Sequence, residues 1–136
     1  MIGRPVHFLS LFFALTLLSF PAALDGDATD AILRRTAKPG DTLVFDASAS
    51  TDPDGDSLRF SWWFYPEAGR QPYAKGLPLV NPIAAKTSFT VPGDAAGTEL
   101  HLILEVWDQS QIVPLAAYRR VVLTIIPLAP WAATPA

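Results

Sequence analysis

The sequence predicts an all-β domain in which two sheets pack face to face as a Greek-key sandwich. Thirteen prolines and eight glycines divide the chain into short segments, and these segments alternate apolar with polar residues or are rich in β-branched residues. No stretch after residue 24 keeps the period of an amphipathic helix. With 136 residues, half of them apolar, the chain has room for one domain with its own core. About seven short strands separated by turns are typical of such a sandwich.

The first part of the chain has the layout of a secretory signal peptide. Arg4 precedes Phe8–Phe20, a run of thirteen uncharged, mostly apolar residues. This run is shorter than the ~20 residues that a membrane-spanning helix needs, so we expect residues 1–23 to form a helical signal segment. The protein would then be periplasmic, attached to the cell surface or secreted. Pro21 makes the cleavage site atypical, and an uncleaved membrane anchor is the alternative. Because an exported chain without cysteine has no disulfides, packing or a metal must stabilise it.

The folded domain is predicted over residues 32–126. The preceding residues, 24–31, are rich in acids and small side chains, and we expect them to form a solvated spacer. Ile32–Thr36 is predicted to be an edge strand that ends at the turn signal Lys38-Pro39-Gly40. Asp41–Phe45 is predicted to be the second strand, since its apolar residues alternate.

An acidic turn and an aromatic strand form the centre of the sequence. Pro53 and Gly55 favour a sharp turn within Asp52–Asp56, and the predicted strand Leu58–Tyr65 follows directly. A period of two places Leu58, Phe60, Trp62 and Phe64 on one face and Ser61, Trp63 and Tyr65 on the other. We expect the first set in the core, because immunoglobulin-type sandwiches bury a tryptophan at this place against the opposite sheet.

The remaining strands are separated by one long loop and several short ones. Pro66–Pro78 is predicted to be the long loop, and loops of this length in compact domains are often functional. Strands are predicted at Lys86–Val91, Glu99–Asp108 and Ala117–Ile126. The tail, residues 127–136, is rich in proline and alanine and is expected to be unstructured.

Three separated segments carry a resemblance to a known family. They are DASASTDPDGDSLRFSWWFYPEAG, FTVPGDAAGTELHLILEVWD and AYRRVVLTI, in this order. Together they resemble the C-terminal immunoglobulin-like domain of bacterial cellulose-binding proteins whose N-terminal part is similar to nucleoside hydrolases, and more broadly the sandwich modules of the polycystic-kidney-disease type. The resemblance implies an immunoglobulin-like Greek-key fold. It also implies binding of cellulose or a related β-glucan, without the hydrolase-like part.

The acidic turn is a candidate calcium site. Asp52, Asp54 and Asp56 occupy alternate positions of the turn. In a sandwich of this order, the loop after Glu99–Asp108 lies at the same end, which places Asp108 near the turn. Because Ca²⁺ binds carboxylate and carbonyl oxygens, these four aspartates are the predicted ligands. The alternative is a solvated turn in which the aspartates bond their own backbone and no ion binds.

Four aromatic residues are candidates for contact with a polysaccharide. Sugars present flat C–H faces that pack on exposed rings, while polar groups at the ring edges bind hydroxyls. Trp63 and Tyr65 on the third strand, Tyr73 in the long loop and Trp107 near the end of Glu99–Asp108 are the predicted ligand-binding residues. The alternative is that these rings are covered, in which case the domain is a structural or adhesive spacer without a glycan site.

Charge and composition argue against other classes of function. The net charge is −3 and no basic stripe offers itself to nucleic acid. Enzymatic activity is not expected, because the chain lacks cysteine and His101 has no activating serine motif beside it. Asp54 and Asp56 could act as an acid and a base only within a cleft, which a turn tip does not form. Arg119 and Arg120 are interpreted as part of a solvated strand face.

Overall fold

The computed structural model describes residues 20–129, which form an all-β domain as the sequence predicts. The six strands are β1 (Leu33–Ala37), β2 (Thr42–Asp46), β3 (Leu58–Phe64), β4 (Lys86–Thr90), β5 (Glu99–Asp108) and β6 (Ala116–Ile125). Residues 20–129 contain no helix, and therefore none that is long and apolar enough to cross a membrane. Most of the predicted signal segment and of the predicted tail lies outside the described residues.

The strands form two sheets of unequal size. The large sheet has the order β1-β6-β5-β3, and the small sheet pairs β2 with β4. β1 runs parallel to β6, whereas the other pairs are antiparallel. A single bridge between Val80 and Ser88 extends the small sheet beyond β4. The described residues thus contain six strands where about seven were predicted, and this bridge stands in place of a further strand.

The inward faces of the two sheets share one core. Trp62 on β3 lies against Phe45 on β2, with 6.3 Å between the ring centroids, and Phe64 meets Phe89 on β4 edge to face at 4.9 Å. The indole N–H of Trp62 donates a hydrogen bond to the carbonyl oxygen of Ala84 at 2.8 Å, so the polar atom of this buried ring is satisfied. The inward face predicted for β3 is confirmed, since its apolar residues belong to this core or pack against it.

A short N-terminal arm, residues 20–31, packs against the sandwich. Phe20, Ala22, Ala23 and Leu24 are buried. Asp25 and Gly26 have positive φ angles of 50° and 84°, and the residues on either side of them, Leu24 and Asp27, exchange two backbone hydrogen bonds. This is the two-residue hairpin turn that Asp-Gly sequences favour. Within the predicted solvated spacer, residues 24–31, only Leu24 is buried, and it is anchored in the core. Asp25, Gly26 and residues 28–31 are exposed, and the turn directs the chain back along the sandwich.

Arg119 on β6 ties the N-terminal arm to the large sheet. Its side chain faces the interior and is only 2% exposed. The guanidinium group donates hydrogen bonds to the carbonyl oxygens of Ala22, Asp27 and Ala31, and it lies 3.5 Å from the Asp27 carboxylate. The interpretation of Arg119 as part of a solvated face is wrong, because the β5–β6 register pairs it with the inward-facing Leu104.

Candidate functional site

The outward side of the large sheet brings together three of the four predicted aromatic residues. In one row across the sheet, Trp63 pairs with Ile103, and Ile103 pairs with Arg120. The next row contains Ser61, Glu105 and Tyr118, and the row after it contains Arg59 and Trp107. Because side chains alternate along a strand, all of these point to the same side. We name the set Trp63, Tyr65, Glu105, Trp107, Tyr118 and Arg120 the outer aromatic face.

Trp63 and Tyr65 form an exposed pair of rings. They are 38% and 41% exposed, their ring centroids lie 6.1 Å apart, and their ring planes are tilted by 55°. Ile103, the cross-strand neighbour of Trp63, is fully buried although it lies on the outward side of the sheet. The side chains of the outer aromatic face therefore cover Ile103, and this packing restricts the positions of the rings.

Two arginines lie over the other rings of the outer aromatic face. The guanidinium carbon of Arg59 is 5.9 Å from the ring centroid of Trp107, and that of Arg120 is 5.9 Å from the ring centroid of Tyr118. Arg120 also donates a 3.0 Å hydrogen bond from Nε to the Tyr118 hydroxyl. These cation–π contacts hold ring and cation together. Tyr118, which is 48% exposed, is absent from the sequence-based candidates. Its outward position follows from the pairing of its neighbour Arg119 with the inward-facing Leu104.

The structure places Tyr73 away from the outer aromatic face. Its ring is 8% exposed and belongs to the core, and its hydroxyl donates a 2.7 Å hydrogen bond to the Asp94 carboxylate. Lys75 forms an ion pair with the same carboxylate. The hydrogen bond to Asp94, followed by burial, raises the pKa of Tyr73. The long loop thus folds back on the domain, and Tyr73 closes the core instead of presenting a ring to solvent.

Three aspartates meet at one end of the sandwich and form an acidic cluster. The carboxylates of Asp52, Asp56 and Asp108 each place one oxygen within 4.8 Å of the others. The fold brings them together because β3 begins where β5 ends, so that Leu58 pairs with Asp108. The predicted proximity of Asp108 to the acidic turn is confirmed. Asp54, the fourth predicted ligand, is exposed and does not belong to the acidic cluster.

The carboxylates of the acidic cluster accept backbone hydrogen bonds and repel one another. The Asp52 carboxylate accepts hydrogen bonds from the backbone N–H groups of Asp54 and Asp56 at 2.9 and 3.0 Å, and Asp108 accepts one from Leu115 at 2.7 Å. Burial, and after it the charges of Asp52 and Asp108, raises the pKa of Asp56. Within residues 20–129, no lysine or arginine forms an ion pair with any of the three. A divalent cation would neutralise this concentrated negative charge.

Glu99 and His101 form a polar pair on the outward side of β5, near its first residue. His101 is 8% exposed, and its Nε2 lies 2.9 Å from Oε1 of Glu99. This contact lowers the pKa of Glu99. A histidine that the strand pattern places on the surface is thus largely covered. The long loop runs close to this pair, since the backbone N–H of Glu99 donates a hydrogen bond to the carbonyl oxygen of Gln71.

Comparisons with known proteins agree with this architecture. The family model described as the C-terminal domain of cellulose-binding protein Sde0182 matches residues 42–125. A solved structure of a nucleoside hydrolase-related hypothetical protein from Saccharophagus degradans, described as associated with carbohydrate metabolism, superposes with a TM-score of 0.72 at 36% sequence identity. The match covers 79% of this chain and 26% of that chain, so the present sequence spans about a quarter of the solved protein. No curated protein sequence matches the chain.

Proposed function

The chain belongs to the family of the C-terminal domain of cellulose-binding protein Sde0182, and from this we propose that it binds cellulose or a related β-glucan through its outer aromatic face, without catalysing a reaction. The observation that carries the proposal is the exposed pair of rings formed by Trp63 and Tyr65. Aromatic rings bind the C–H faces of sugars, and the nearby polar groups of Glu105 and Arg120 are suited to hydroxyl groups. The competing proposal, a spacer without a glycan site, is less favoured because both rings remain exposed beside the long loop.

We also propose that the protein has an immunoglobulin-like fold and that it is exported. The fold is immunoglobulin-like, since β2 and β4 correspond to strands B and E of that sandwich, and β3, β5 and β6 correspond to strands C, F and G. The N-terminal segment, residues 1–23, directs export of the protein to the periplasm, the cell surface or the medium. The last residues of this segment, Phe20, Ala22 and Ala23, are buried in the domain and stay with it. Fractionation of expressing cells tests the export, and recovery of the protein in the cytosol would contradict it.

The first test of the proposed function is the Trp63→Ala variant. We expect its affinity for insoluble cellulose to fall about tenfold, because truncating an aromatic residue that anchors a ligand costs more than about 1 kcal/mol. The measurement is a depletion isotherm on washed cellulose. Val44→Ala is the matched control, since Val44 is an exposed apolar residue at 56% on the small sheet. The proposal is wrong if both variants are retained as well as the wild type, provided that their melting temperatures are unchanged.

We also propose that the acidic cluster binds Ca²⁺ and thereby stabilises one end of the sandwich. Asp52, Asp56 and Asp108 offer three carboxylates from two separate parts of the chain, and oxygen ligands of this kind are those that calcium prefers. The pKa of Asp56 is raised by burial and by the neighbouring carboxylates, so a cation in contact with all three would relieve a repulsion that the fold imposes. This role is compatible with glycan binding, since the outer aromatic face is formed by different residues.

Calcium is therefore expected to raise the melting temperature. At a concentration about ten times the Kd, a native-state ligand adds about 1.4 kcal/mol to the free energy of unfolding, which raises Tm by several degrees in a domain of this size. Asp56→Asn should abolish the rise, whereas Asp54→Asn, a change two residues away in the same turn, should keep it. The measurement is Tm with millimolar CaCl₂ or with EDTA. Equal Tm values for the wild type in both solutions would end the calcium proposal.

A further inference from the structure

We propose that the outer aromatic face binds a single β-glucan chain, in solution or at a disordered surface, in preference to the flat face of a cellulose crystal. This inference rests on the proposed function and adds the physical form of the ligand. It follows from the relative orientation of the exposed rings and from the shape of the surface around them.

The two exposed rings cannot both lie against one plane. In a cellulose crystal the sugar rings at the surface are held flat, so two aromatic rings can both stack on this surface only when their planes are parallel to it. The ring planes of Trp63 and Tyr65 are tilted by 55°. A separation of 0.5–1 Å beyond contact already forfeits about a quarter to a half of the dispersion attraction. When either ring lies flat on a crystal face, the other therefore contributes little.

A single chain can use both rings. The ring centroids of Trp63 and Tyr65 are 6.1 Å apart, a spacing comparable to the length of one sugar unit, so neighbouring units can each meet one ring. In a free chain, rotation about the glycosidic linkage allows neighbouring units to turn relative to each other, and each unit can then match the tilt of its ring. Packing in a crystal prevents this rotation.

The other rings of the outer aromatic face are in contact with cations. Arg59 lies over Trp107 and Arg120 over Tyr118, each with 5.9 Å between the guanidinium carbon and the ring centroid. A cation therefore takes up part of the surface of each of these rings, which leaves less of it to a flat crystal face. The same guanidinium groups suit a single chain, because their N–H donors can reach the hydroxyl groups along its edges.

The surface along β3, an edge strand of the large sheet, is also uneven. One depression is lined by Arg59, Phe60, Ser61, Ile83, Glu105 and Trp107. A second is lined by Trp62, Trp63 and Phe64 together with residues of the long loop such as Pro66, Lys75 and Leu77. One extended chain can enter such depressions, whereas a crystal face can touch only their rims.

The experiment compares three forms of the same polymer. We expect cellohexaose to bind in isothermal titration calorimetry, and we expect retention on phosphoric-acid-swollen cellulose to exceed that on microcrystalline cellulose at least tenfold per accessible site. Cellohexaose should displace the protein from swollen cellulose. Trp63→Ala and Tyr65→Ala should each weaken binding of cellohexaose about tenfold, whereas Tyr65→Phe, which keeps the ring, should retain most of it.

The possible results distinguish failure of the single-chain inference from failure of the proposed function. Equal or stronger retention on microcrystalline cellulose, or retention that cellohexaose does not displace, would overturn this inference and leave the proposed function intact. Tight binding of cellohexaose by both alanine variants would place the single-chain site elsewhere and would likewise overturn it. Absence of binding to all three forms by a folded protein would overturn the inference together with the proposed function.

Discussion

The Trp62→Ala variant is expected to unfold with a free energy about 3–5 kcal/mol below that of the wild type, the usual cost of truncating a large aromatic residue in a core. Trp62 is 3% exposed, lies against Phe45 and donates its indole N–H to the carbonyl oxygen of Ala84. The substitution leaves a cavity between the two sheets and removes the donor from this carbonyl oxygen. Because small domains have a free energy of unfolding of only about 5–15 kcal/mol, the variant will keep only a small part of it.

Two further variants separate the contributions at this position. Trp62→Phe should recover most of the packing and lose mainly the hydrogen bond, about 1 kcal/mol. Trp63→Ala, which changes the adjacent residue on the opposite face of β3, should cost about 1 kcal/mol or less, since Trp63 is partly solvated. Urea denaturation followed by tryptophan fluorescence measures all three. Similar losses for Trp62→Ala and Trp63→Ala would contradict the assignment of the two faces.

The Arg119→Met variant is expected to lose about 2–3 kcal/mol of stability. Methionine keeps much of the apolar side chain but removes the donor that the carbonyl oxygens of Ala22, Asp27 and Ala31 share. The Asp27 oxygen keeps the backbone N–H of Leu24. A buried acceptor without a partner costs about 1–3 kcal/mol, and the Ala22 carbonyl oxygen lies in the buried part of the contact. The other two oxygens can regain water. Relief from burying a guanidinium group, whose Nε has no partner, offsets part of the loss.

Arg120→Met is the matched control for stability. Arg120 is the next residue but faces outward, so its replacement should change the free energy of unfolding by no more than about 0.5 kcal/mol. Hydrogen exchange adds a local measurement: amides in the N-terminal arm, residues 20–31, should lose protection in Arg119→Met and keep it in Arg120→Met. An Arg119→Met protein with wild-type stability would mean that the cost of burying the cation equals the gain from its hydrogen bonds.

The features predictable from sequence are those that depend on alternation and on the order of the strands. Apolar and polar residues alternate over Leu58–Ser61, and the same period of two, continued through the consecutive rings, assigned Trp62 to the core and Trp63 to the surface. The proximity of Asp56 and Asp108 followed from sandwich connectivity, which brings the start of β3 to the end of β5. Neither inference required knowledge of a loop conformation.

The features that were missed depend on register and on loops. The orientation of Arg119 follows from its pairing with Leu104, and this register cannot be derived from β6 alone. Tyr73 lies in a loop whose path is determined by contacts with distant residues, such as the hydrogen bond to Asp94. The N-terminal arm has an Asp-Gly turn signal, but the acidic residues around it resemble a solvated linker, and burial of Leu24 becomes evident only from the assembled sheets.

The parallel pairing of β1 with β6 has a mechanical consequence. The two strands are paired along their length from Leu33 and Val121 to Ala37 and Ile125. Tension applied between Ile32 and Ile126 therefore pulls them lengthwise in opposite directions, and it loads all the hydrogen bonds of the ladder at once instead of peeling them apart one after another. A domain with this arrangement should resist tension along this direction better than one whose terminal strands separate one bond at a time.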